Sequence, residues 1–211
     1  MRPRPRWFPP TGIAHMRMEG ISGAQRRSTS SVALVTTAFD GVVNVMSAEW
    51  SLRVSLEPYL VAVFVGYQRA TLDLLRRSGE FGLSYCSDEQ AHLAHVAGNH
   101  SLREGPSKWS LARFPTFPSR YIHAPLIEGA VANLECRVVS EFPTGDHVAF
   151  VGEVLTAYFD EDRSPLVYHG GKYYRLGPRI PSPPRRGTSE PAQSSGSDRV
   201  GTGGPQTDGN S

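Results

Sequence analysis

Short runs of β-branched and aromatic residues, separated by turn-forming residues, recur from residue 32 to residue 174 and limit the possible folds more than any other feature of the sequence. The run YLVAVFVGY (59–67) is almost continuously apolar and predicts a strand buried on both faces, in the middle of a sheet. Further strands are predicted in EFGLSYC, AVANLECRVVSEFP, HVAFVGEVLTAYFD and SPLVYHGGKYYRL. We therefore expect a mainly β protein with short helices, and strands at this spacing favour a small closed barrel.

The segment VALVTTAFDGVVNVMSAEW (32–50) predicts a hairpin whose second strand is unusual. Asp40-Gly41 tolerates the positive φ angles of a tight turn. The returning strand begins apolar, but from Asn44 to Glu49 it offers short polar and small residues where packing would favour branched apolar ones. Such residues allow a flat ring to approach backbone N–H and C=O groups, and they equally suit the narrow end of a barrel. The pattern leaves both interpretations open.

Two short helices are predicted between strands. In ATLDLLRRSG (70–79), Leu72 and Leu75 share one helical face and Gly79 follows the last turn. The second helix is predicted over residues 88–97, because Ser and Gln stand at capping-box spacing before it and Gly follows it.

The junction VGYQRAT (65–71) is a candidate anion site. Arg69 lies in a loop after a strand and Thr71 lies where the next helix begins, so a guanidinium, a hydroxyl and free backbone donors would converge on a phosphate. The alternative is that Thr71 caps its helix and Arg69 is a solvated loop charge. For Lys108 the pattern likewise allows a phosphate contact or a solvated charge, and we predict the solvated charge.

Composition separates both ends of the chain from residues 28–176, which we interpret as one domain. Residues 1–27 begin with alternating Arg and Pro and are predicted to be a partly disordered arm, because Pro removes backbone donors. Residues 177–211 are rich in Pro, Gly and Ser and are predicted to be a disordered tail that cannot bury enough apolar surface to fold.

Charge and hydropathy argue against nucleic-acid and membrane partners. The formal net charge is +2, and no stripe of Lys and Arg is interleaved with aromatic residues. No apolar run has membrane-spanning length, and the first arginines are not followed by the apolar core of a signal peptide. We therefore predict a cytoplasmic protein.

Cysteine and histidine spacing indicates no metal site. Cys86 and Cys136 lie far apart within predicted strands, which favours two reduced and partly buried thiols. His92 and His95 share a helix at metal-compatible spacing, but no further ligands stand in matching positions.

From residue 32 to residue 176 the sequence resembles the flavin reductase-like proteins of the FMN-binding split-barrel fold. The stretches that carry the resemblance, in order, are VALVTT, DGVVNVMSAEW, VSLEP, VGYQRATLDLL, SGEFGLSY, PLIEGAVANLECRVV, GDHVAFVGEV and PLVYHGGKYYRL. The resemblance implies a six-stranded antiparallel Greek-key split β-barrel that forms a homodimer, with FMN bound near the dimer interface.

The resemblance also implies which residues bind the cofactor. The residues that would border the isoalloxazine ring are Asn44, Met46, Ser47, Ala48, Glu49 and Trp50. Ser55 would lie near the ring, and Arg69 and Thr71 would hold the phosphate. His147 and His169 would face the nicotinamide side, where an imidazole can hydrogen-bond a carboxamide or a phosphate.

The Glu49 side chain has two interpretations, because relatives often carry a small or neutral residue there. If the carboxylate lies beside the flavin, its charge would disfavour the anionic reduced ring. In the alternative interpretation the carboxylate points to solvent.

The function implied is an NAD(P)H-dependent FMN reductase that passes hydride from nicotinamide to flavin and supplies reduced flavin to a partner monooxygenase. Because the cofactors carry this chemistry, the protein needs no catalytic triad. The sequence leaves open NADH or NADPH as donor and FMN or FAD as flavin. The alternatives are a flavoredoxin-like electron-transfer protein that retains FMN and a non-enzymatic flavin-binding module.

Overall fold

A computed structural model describes residues 23, 25–102 and 107–181 of the chain. Within these residues the protein is mainly β with short helices, as the sequence predicts. The strands are β1 (Thr29–Ser31), β2 (Ala33–Phe39), β3 (Val42–Ala48), β4 (Ser51–Leu56), β5 (Tyr59–Gly66), β6 (Glu80–Tyr85), β7 (Thr116–Phe117), β8 (Leu126–Ile127), β9 (Ala132–Thr144), β10 (His147–Phe159), β11 (Leu166–His169) and β12 (Lys172–Arg175). The helices are α1 (Ala70–Ser78), α2 (Ala91–Asn99) and α3 (Lys108–Leu111), and a 3-10 turn (Asp88–Gln90) leads into α2.

Seven strands form one antiparallel sheet in the order β3-β2-β6-β9-β10-β5-β4. The antiparallel pairing is as predicted, whereas the sheet has seven strands where the resemblance implies six. The run 59–67 forms β5, which pairs with β10 along one edge and with β4 along the other, so its backbone is hydrogen-bonded on both sides.

The chain changes its strand partner between β3 and β4. β3 pairs with β2, whereas β4 pairs with β5, and only Glu49 and Trp50 separate the two strands. The backbone carbonyl of Trp50 accepts a hydrogen bond of 3.1 Å from the Phe64 N–H, so pairing with β5 already begins before β4. Glu49 therefore lies where one ladder ends and the next begins.

Two tight hairpins are formed by residues with positive φ. Asp40 (φ 51°) and Gly41 (φ 72°) turn the chain from β2 to β3, which confirms the first predicted hairpin. Gly170 (φ 57°) and Gly171 (φ 85°) turn the chain again between β11 and β12. The prediction of one continuous strand in SPLVYHGGKYYRL is therefore wrong, because the two glycines divide it into a hairpin. β1 extends this hairpin by pairing with β11.

The core consists of two clusters of buried side chains. One cluster packs against α1 and includes Val35, Met46, Val63, Leu75, Phe81 and Phe150. The other includes the α2 residue Leu93 together with Leu34, Val45 and Ile127. Consecutive residues of β2 and of β3 alternate between the two clusters, as the two-residue period of a strand requires. These two strands are thus buried on both sides along most of their length.

Both predicted helices are present, and local sequence explains their ends. In α1, Leu72 and Leu75 are buried, and Gly79 (φ 68°) ends the helix in the left-handed conformation by donating its N–H to the Leu75 carbonyl at 2.9 Å. Before α2, the Gln90 side chain accepts a hydrogen bond of 3.1 Å from the Ser87 N–H. This helix continues to Asn99, two residues beyond the predicted end.

Both cysteines are free and buried. Burial raises the pKa of Cys86 to about 12, so this thiol stays protonated and unreactive near neutral pH.

Most of the predicted arm and tail lies outside the described residues, namely residues 1–22, 24 and 182–211. Contacts divide the chain after Gly177, and the described residues 178–181 form no helix or strand. In the described parts of the chain, no helix combines the length and the apolar character needed to cross a bilayer.

A test of this packing is the substitution Gly152→Ala in β10. A Cβ atom at Gly152 would lie 2.7 Å from the Phe81 ring and 3.0 Å from Cys136 Cβ, and both of these neighbours are fully buried. We expect the free energy of unfolding to fall by about 1–3 kcal/mol in urea titrations. Gly177→Ala is the control, because a Cβ there meets nothing within 4 Å and should change stability by less than about 0.5 kcal/mol. Equal unfolding midpoints for the two variants would contradict the packing described.

Candidate functional site

Three clefts meet at Glu49, the exposed residue that follows β3. We name each after one residue that lines it: the Arg69 cleft of about 210 Å³, the Trp50 cleft of about 390 Å³ and the Gly170 cleft of about 390 Å³. Glu49 lines all three, because it stands at the point where the chain leaves β2 and joins β5. A ligand in any one of these clefts would lie beside its carboxylate.

The Arg69 cleft is narrow and polar. Its walls include Ser47, Arg69, Gly98, Asn99, Tyr168 and Tyr173. Gly98 faces Ser47, and a Cβ atom at Gly98 would lie 3.4 Å from Ser47 Cβ. Small residues on both walls therefore leave room for a ligand next to the Arg69 guanidinium.

Arg69 is held at the carboxyl end of α2. Its Nη1 donates a hydrogen bond of 3.3 Å to the Gly98 carbonyl. Carbonyls at the end of a helix carry partial negative charge and stabilise a cation there. A guanidinium has five N–H donors, so Arg69 can keep this bond and also bind an anion in the cleft.

Lys108 lies behind the same helix end, and the prediction that it is solvated is wrong. Its side chain is only 4% exposed, and its Nζ donates hydrogen bonds to the carbonyls of Val45 at 2.7 Å and Ala97 at 3.0 Å. Burial and, next, the charge of Arg69 lower the pKa of Lys108 to about 8. The neighbouring Trp109 Nε1 donates to the Val43 carbonyl at 3.2 Å, so α3 is fixed to β3 by two side chains.

Thr71 does not occupy the position that the sequence suggests. Helix α1 begins at Ala70 with Arg69 as its N-cap residue, so Thr71 lies inside the first turn. Its hydroxyl is buried and accepts a hydrogen bond of 2.8 Å from Asn44 Nδ2. This bond joins α1 to β3, and both side chains are turned away from solvent rather than toward a cleft.

The Trp50 cleft combines an exposed ring with an unpaired hydroxyl. Its lining includes Thr29, Ser30, Ser31, Trp50, Leu52 and Phe64. The Trp50 side chain is 41% exposed, so its ring is available to a planar ligand. Ser30 Oγ is buried and has no hydrogen-bond partner among the described residues. Such a hydroxyl can bond a polar edge of a ligand, which would offset the cost of its burial.

His147 packs on Trp50. The two ring centroids are 4.6 Å apart and the planes are tilted by 45°. Nδ1 of His147 lies 2.7 Å from Asp146 Oδ1, and this hydrogen bond lowers the pKa of Asp146. The imidazole is thus fixed at the edge of the site, with Nε2 near Gly66.

The Gly170 cleft is formed by the β11–β12 turn and the segment before β1. Its lining includes Gln25, Arg26, Ser28, Tyr168, Gly170 and Gly171. His169 is engaged locally, because its Nδ1 lies 3.0 Å from the Ser28 carbonyl and its ring packs near Tyr174. Its neighbours along the chain line the cleft.

The structure brings together part of the predicted cofactor set. The predicted residues around the three clefts are Ser47, Glu49, Trp50 and Arg69. The predicted residues that are buried instead are Asn44, Met46, Ala48 and Thr71. Ser55 is half-buried in β4 beside a register shift, and His169 contacts Ser28.

Sequence reasoning missed Ser30, Asn99 and the burial of Lys108. Asn99 follows Gly98, where the sequence predicts the helix to end, and so carried a detectable signal. Ser30 and Lys108 carried none, because short polar segments have no informative period. Among the described residues, no group of three His, Cys, Asp or Glu side chains is arranged to hold a metal ion.

Comparison with known proteins identifies relatives of this chain. Residues 25–177 match the model of the flavin reductase like domain. An NADH-dependent flavin reductase from Rhodococcus sp. is 34% identical over 156 residues, which cover 71% of this chain and 81% of the relative. The reductase component of 4-hydroxyphenylacetate 3-monooxygenase from Thermus thermophilus is 30% identical over 159 residues, covering 75% and 96% of the two chains.

A solved structure agrees with these relatives. The NADH:FAD oxidoreductase of Streptomyces globisporus C-1027 superimposes with a TM-score of 0.68 at 29% identity, and the match covers 74% of this chain and 90% of that one. The domain match spans most of the residues that the structure describes. The chain therefore belongs to the flavin reductase-like family.

Proposed function

We propose that this protein is an NADH-dependent flavin reductase that binds FMN in the clefts around Glu49. The observation that carries the proposal is that Glu49 lines both a polar cleft with a guanidinium and a cleft with an exposed indole. A flavin mononucleotide has the same two parts, a charged phosphate and a flat ring. Family membership supports the same assignment.

The Arg69 cleft suits the phosphate. A guanidinium binds phosphate oxygens through paired N–H donors, and Arg69 stands at the rim. The Ser47 hydroxyl on the opposite wall is a further donor. The role that the sequence suggests for Thr71 in this contact is dropped, because its hydroxyl is bonded to Asn44.

The Trp50 cleft suits the isoalloxazine ring. The exposed Trp50 ring offers stacking area, and the unpaired Ser30 hydroxyl offers a hydrogen bond to a polar ring edge. Glu49 then lies between ring and phosphate, where its charge disfavours the anionic reduced flavin. Because Glu49 disfavours the anionic reduced flavin, it favours prompt release of the reduced flavin, which is the product.

When bound, the two cofactors would supply the chemistry, in which a hydride from NADH and a proton from solvent reduce the flavin and leave NAD⁺. The residues of this chain need only hold the two rings in contact and limit access of water. His147, which the Asp146 carboxylate orients at the edge of Trp50, is our candidate for the nicotinamide contact. His169 and the Gly170 turn are a second, weaker candidate for the same side.

The choice of NADH and of a partner follows the relatives. The Rhodococcus relative and the Streptomyces structure are named for NADH, and the Thermus relative is a monooxygenase component. We propose the same donor here, and a partner monooxygenase that takes up the reduced flavin in the cytoplasm. FAD is the alternative flavin, since the Streptomyces protein is named for it.

The proposal includes closure of the barrel and a homodimer. If β3 and β4 are counted as one bent strand, the sheet order closes on itself as a six-stranded Greek-key split barrel, and the two-residue gap at Glu49 and Trp50 supports this. β4 leaves large apolar side chains exposed: Leu52 (48%), Val54 (48%) and Leu56 (67%). A second copy of this chain would cover this row and the rim of the Trp50 cleft, which shares Leu52.

The phosphate assignment is tested by comparing Arg69→Ala with Thr71→Ala. We expect Arg69→Ala to weaken FMN binding about tenfold or more while riboflavin binding changes little, because only FMN carries the phosphate. Thr71→Ala should instead lower the free energy of unfolding by about 1–2 kcal/mol, since it leaves buried Asn44 Nδ2 unpaired. Fluorescence titration and urea unfolding measure the two effects. The assignment fails if Arg69→Ala weakens FMN and riboflavin equally.

Reductase activity is tested on purified protein without oxygen. With catalytic amounts of protein, excess FMN and NADH, the flavin absorbance band should bleach, and NADPH should act more slowly. A flavin that stays bound and oxidised would instead favour an electron-transfer protein that retains FMN. If the protein binds no flavin, the proposed function is wrong and a non-enzymatic module remains.

The dimer is tested by sedimentation velocity on Leu56→Glu. A charge in the exposed β4 row should dissociate the dimer into monomers, because it would be buried without a partner. Phe159→Glu is the control: it adds the same charge at a side chain that is 73% exposed on β10. Wild-type protein that sediments as a monomer would contradict the proposal.

A further inference from the structure

Lys108 is a buried cation that is hydrogen-bonded only to neutral carbonyls among the described residues. It is 4% exposed, and its two hydrogen-bond acceptors are the neutral carbonyls of Val45 and Ala97. The ion pairs found among the described residues do not include it. Burying a charge without an opposite charge costs free energy, and such groups often mark functional sites.

Both acceptors of Lys108 adjoin the Arg69 cleft. Val45 precedes the cleft residue Ser47 by two positions on β3, and Ala97 is followed directly by the cleft residue Gly98. The ammonium therefore lies behind the walls that carry Ser47 and Gly98. It is separated from the cleft by backbone, so it does not contact a ligand there.

Arg69 and Lys108 bind consecutive carbonyls of the same helix end. Arg69 bonds the Gly98 carbonyl and Lys108 bonds the Ala97 carbonyl. Two like charges this close repel each other, and the charge of Arg69 accordingly contributes, after burial, to the lowered pKa of Lys108. An anion in the cleft would be attracted to both charges and would relieve their repulsion, while the Glu49 carboxylate on the cleft wall would oppose it.

We propose that Lys108 is a positioning residue that strengthens binding of the flavin's phosphate group through its buried charge, from behind the Arg69 cleft and without touching the ligand. The inference rests on the proposed function, because it takes the flavin as the source of the phosphate. FMN carries one terminal phosphate and FAD a pyrophosphate, so either flavin has the chemistry recognised, whereas riboflavin lacks it.

The elements around Lys108 carry few other ionisable side chains, so the effect of its charge can be measured separately. β3 has no titratable side chain between Val42 and Ala48, and α3 has none besides Lys108 itself. On α2, His92 and His95 are exposed, and His95 Nδ1 lies 3.2 Å from Asn99 Nδ2. Arg69 is thus the charged group that contributes to the lowered pKa of Lys108, and the Glu49 carboxylate lines the same cleft as Arg69.

The test measures the Kd values of riboflavin, FMN and FAD for the full chain carrying Lys108→Met or Lys108→Arg. Lys108→Met removes the charge and should raise the Kd of FMN about tenfold, while the Kd of riboflavin stays within about twofold of the wild-type value. Lys108→Arg should restore FMN binding to within about threefold of wild type. Arg137→Met, which removes an exposed charge from β9, controls for the change in net charge and should leave the FMN-to-riboflavin ratio unchanged.

A pH profile of the wild-type protein gives a second readout that requires no variant to fold. Lys108 is charged below its pKa of about 8 and neutral above it, so its contribution is present at pH 7 and is lost as the pH rises. The FMN preference over riboflavin should therefore decrease from about pH 7 to about pH 9.5, where the phosphate remains a dianion. In Lys108→Met the preference should not change over this range.

The outcomes separate this inference from the proposed function. If Lys108→Met weakens the binding of FMN and of riboflavin equally, Lys108 has a structural role only and the inference is wrong. It is equally wrong if the wild-type preference is independent of pH. If Lys108→Met weakens the binding of FAD but not of FMN, the pyrophosphate is the group recognised. The assignment of FMN as the flavin then fails. If the wild-type chain binds none of the three flavins, the proposed function is rejected and this inference with it.

Discussion

Backbone hydrogen bonding around Glu49 and Trp50 determines where three clefts meet. β3 is paired with β2 and β4 with β5, so the chain must leave one ladder before it completes the next. The bond from the Phe64 N–H to the Trp50 carbonyl fixes where this happens. Glu49 belongs to neither ladder, and the strands separate on both sides of it. The three clefts are a geometric result of that separation.

The charged part of the candidate site combines the carboxyl end of α2 with Arg69, the N-cap residue of α1. The α2 carbonyls hold two cations, one exposed and one buried. The first turn of α1 is tied to β3 by the hydrogen bond between Asn44 and Thr71.

Local signals explain what could be predicted from the sequence. The Asp40-Gly41 turn, the Gly79 helix end and the buried run 59–67 each depend on residues next to each other in the chain, and all three are found. The bond from Asn44 to Thr71 spans 27 positions and that from Lys108 to Val45 spans 63. The hydrophobic periodicity of neighbouring residues carries no information on contacts this far apart in the sequence. The burial of Thr71 and Lys108 was therefore not predicted. Of the residues that the resemblance names, Ser47, Glu49, Trp50 and Arg69 line clefts, whereas Asn44, Met46, Ala48 and Thr71 are buried, and the resemblance does not distinguish the two groups.

Leu52 belongs to two surfaces, the wall of the Trp50 cleft and the exposed apolar row of β4. A partner copy that covers this row would also close the cleft, so self-association and ring binding would share part of their free energy. By thermodynamic linkage each process must then strengthen the other by the same factor. Flavin affinity would rise with protein concentration, and titrations at two concentrations would reveal the coupling. Dilution of the protein would be a means of releasing its product.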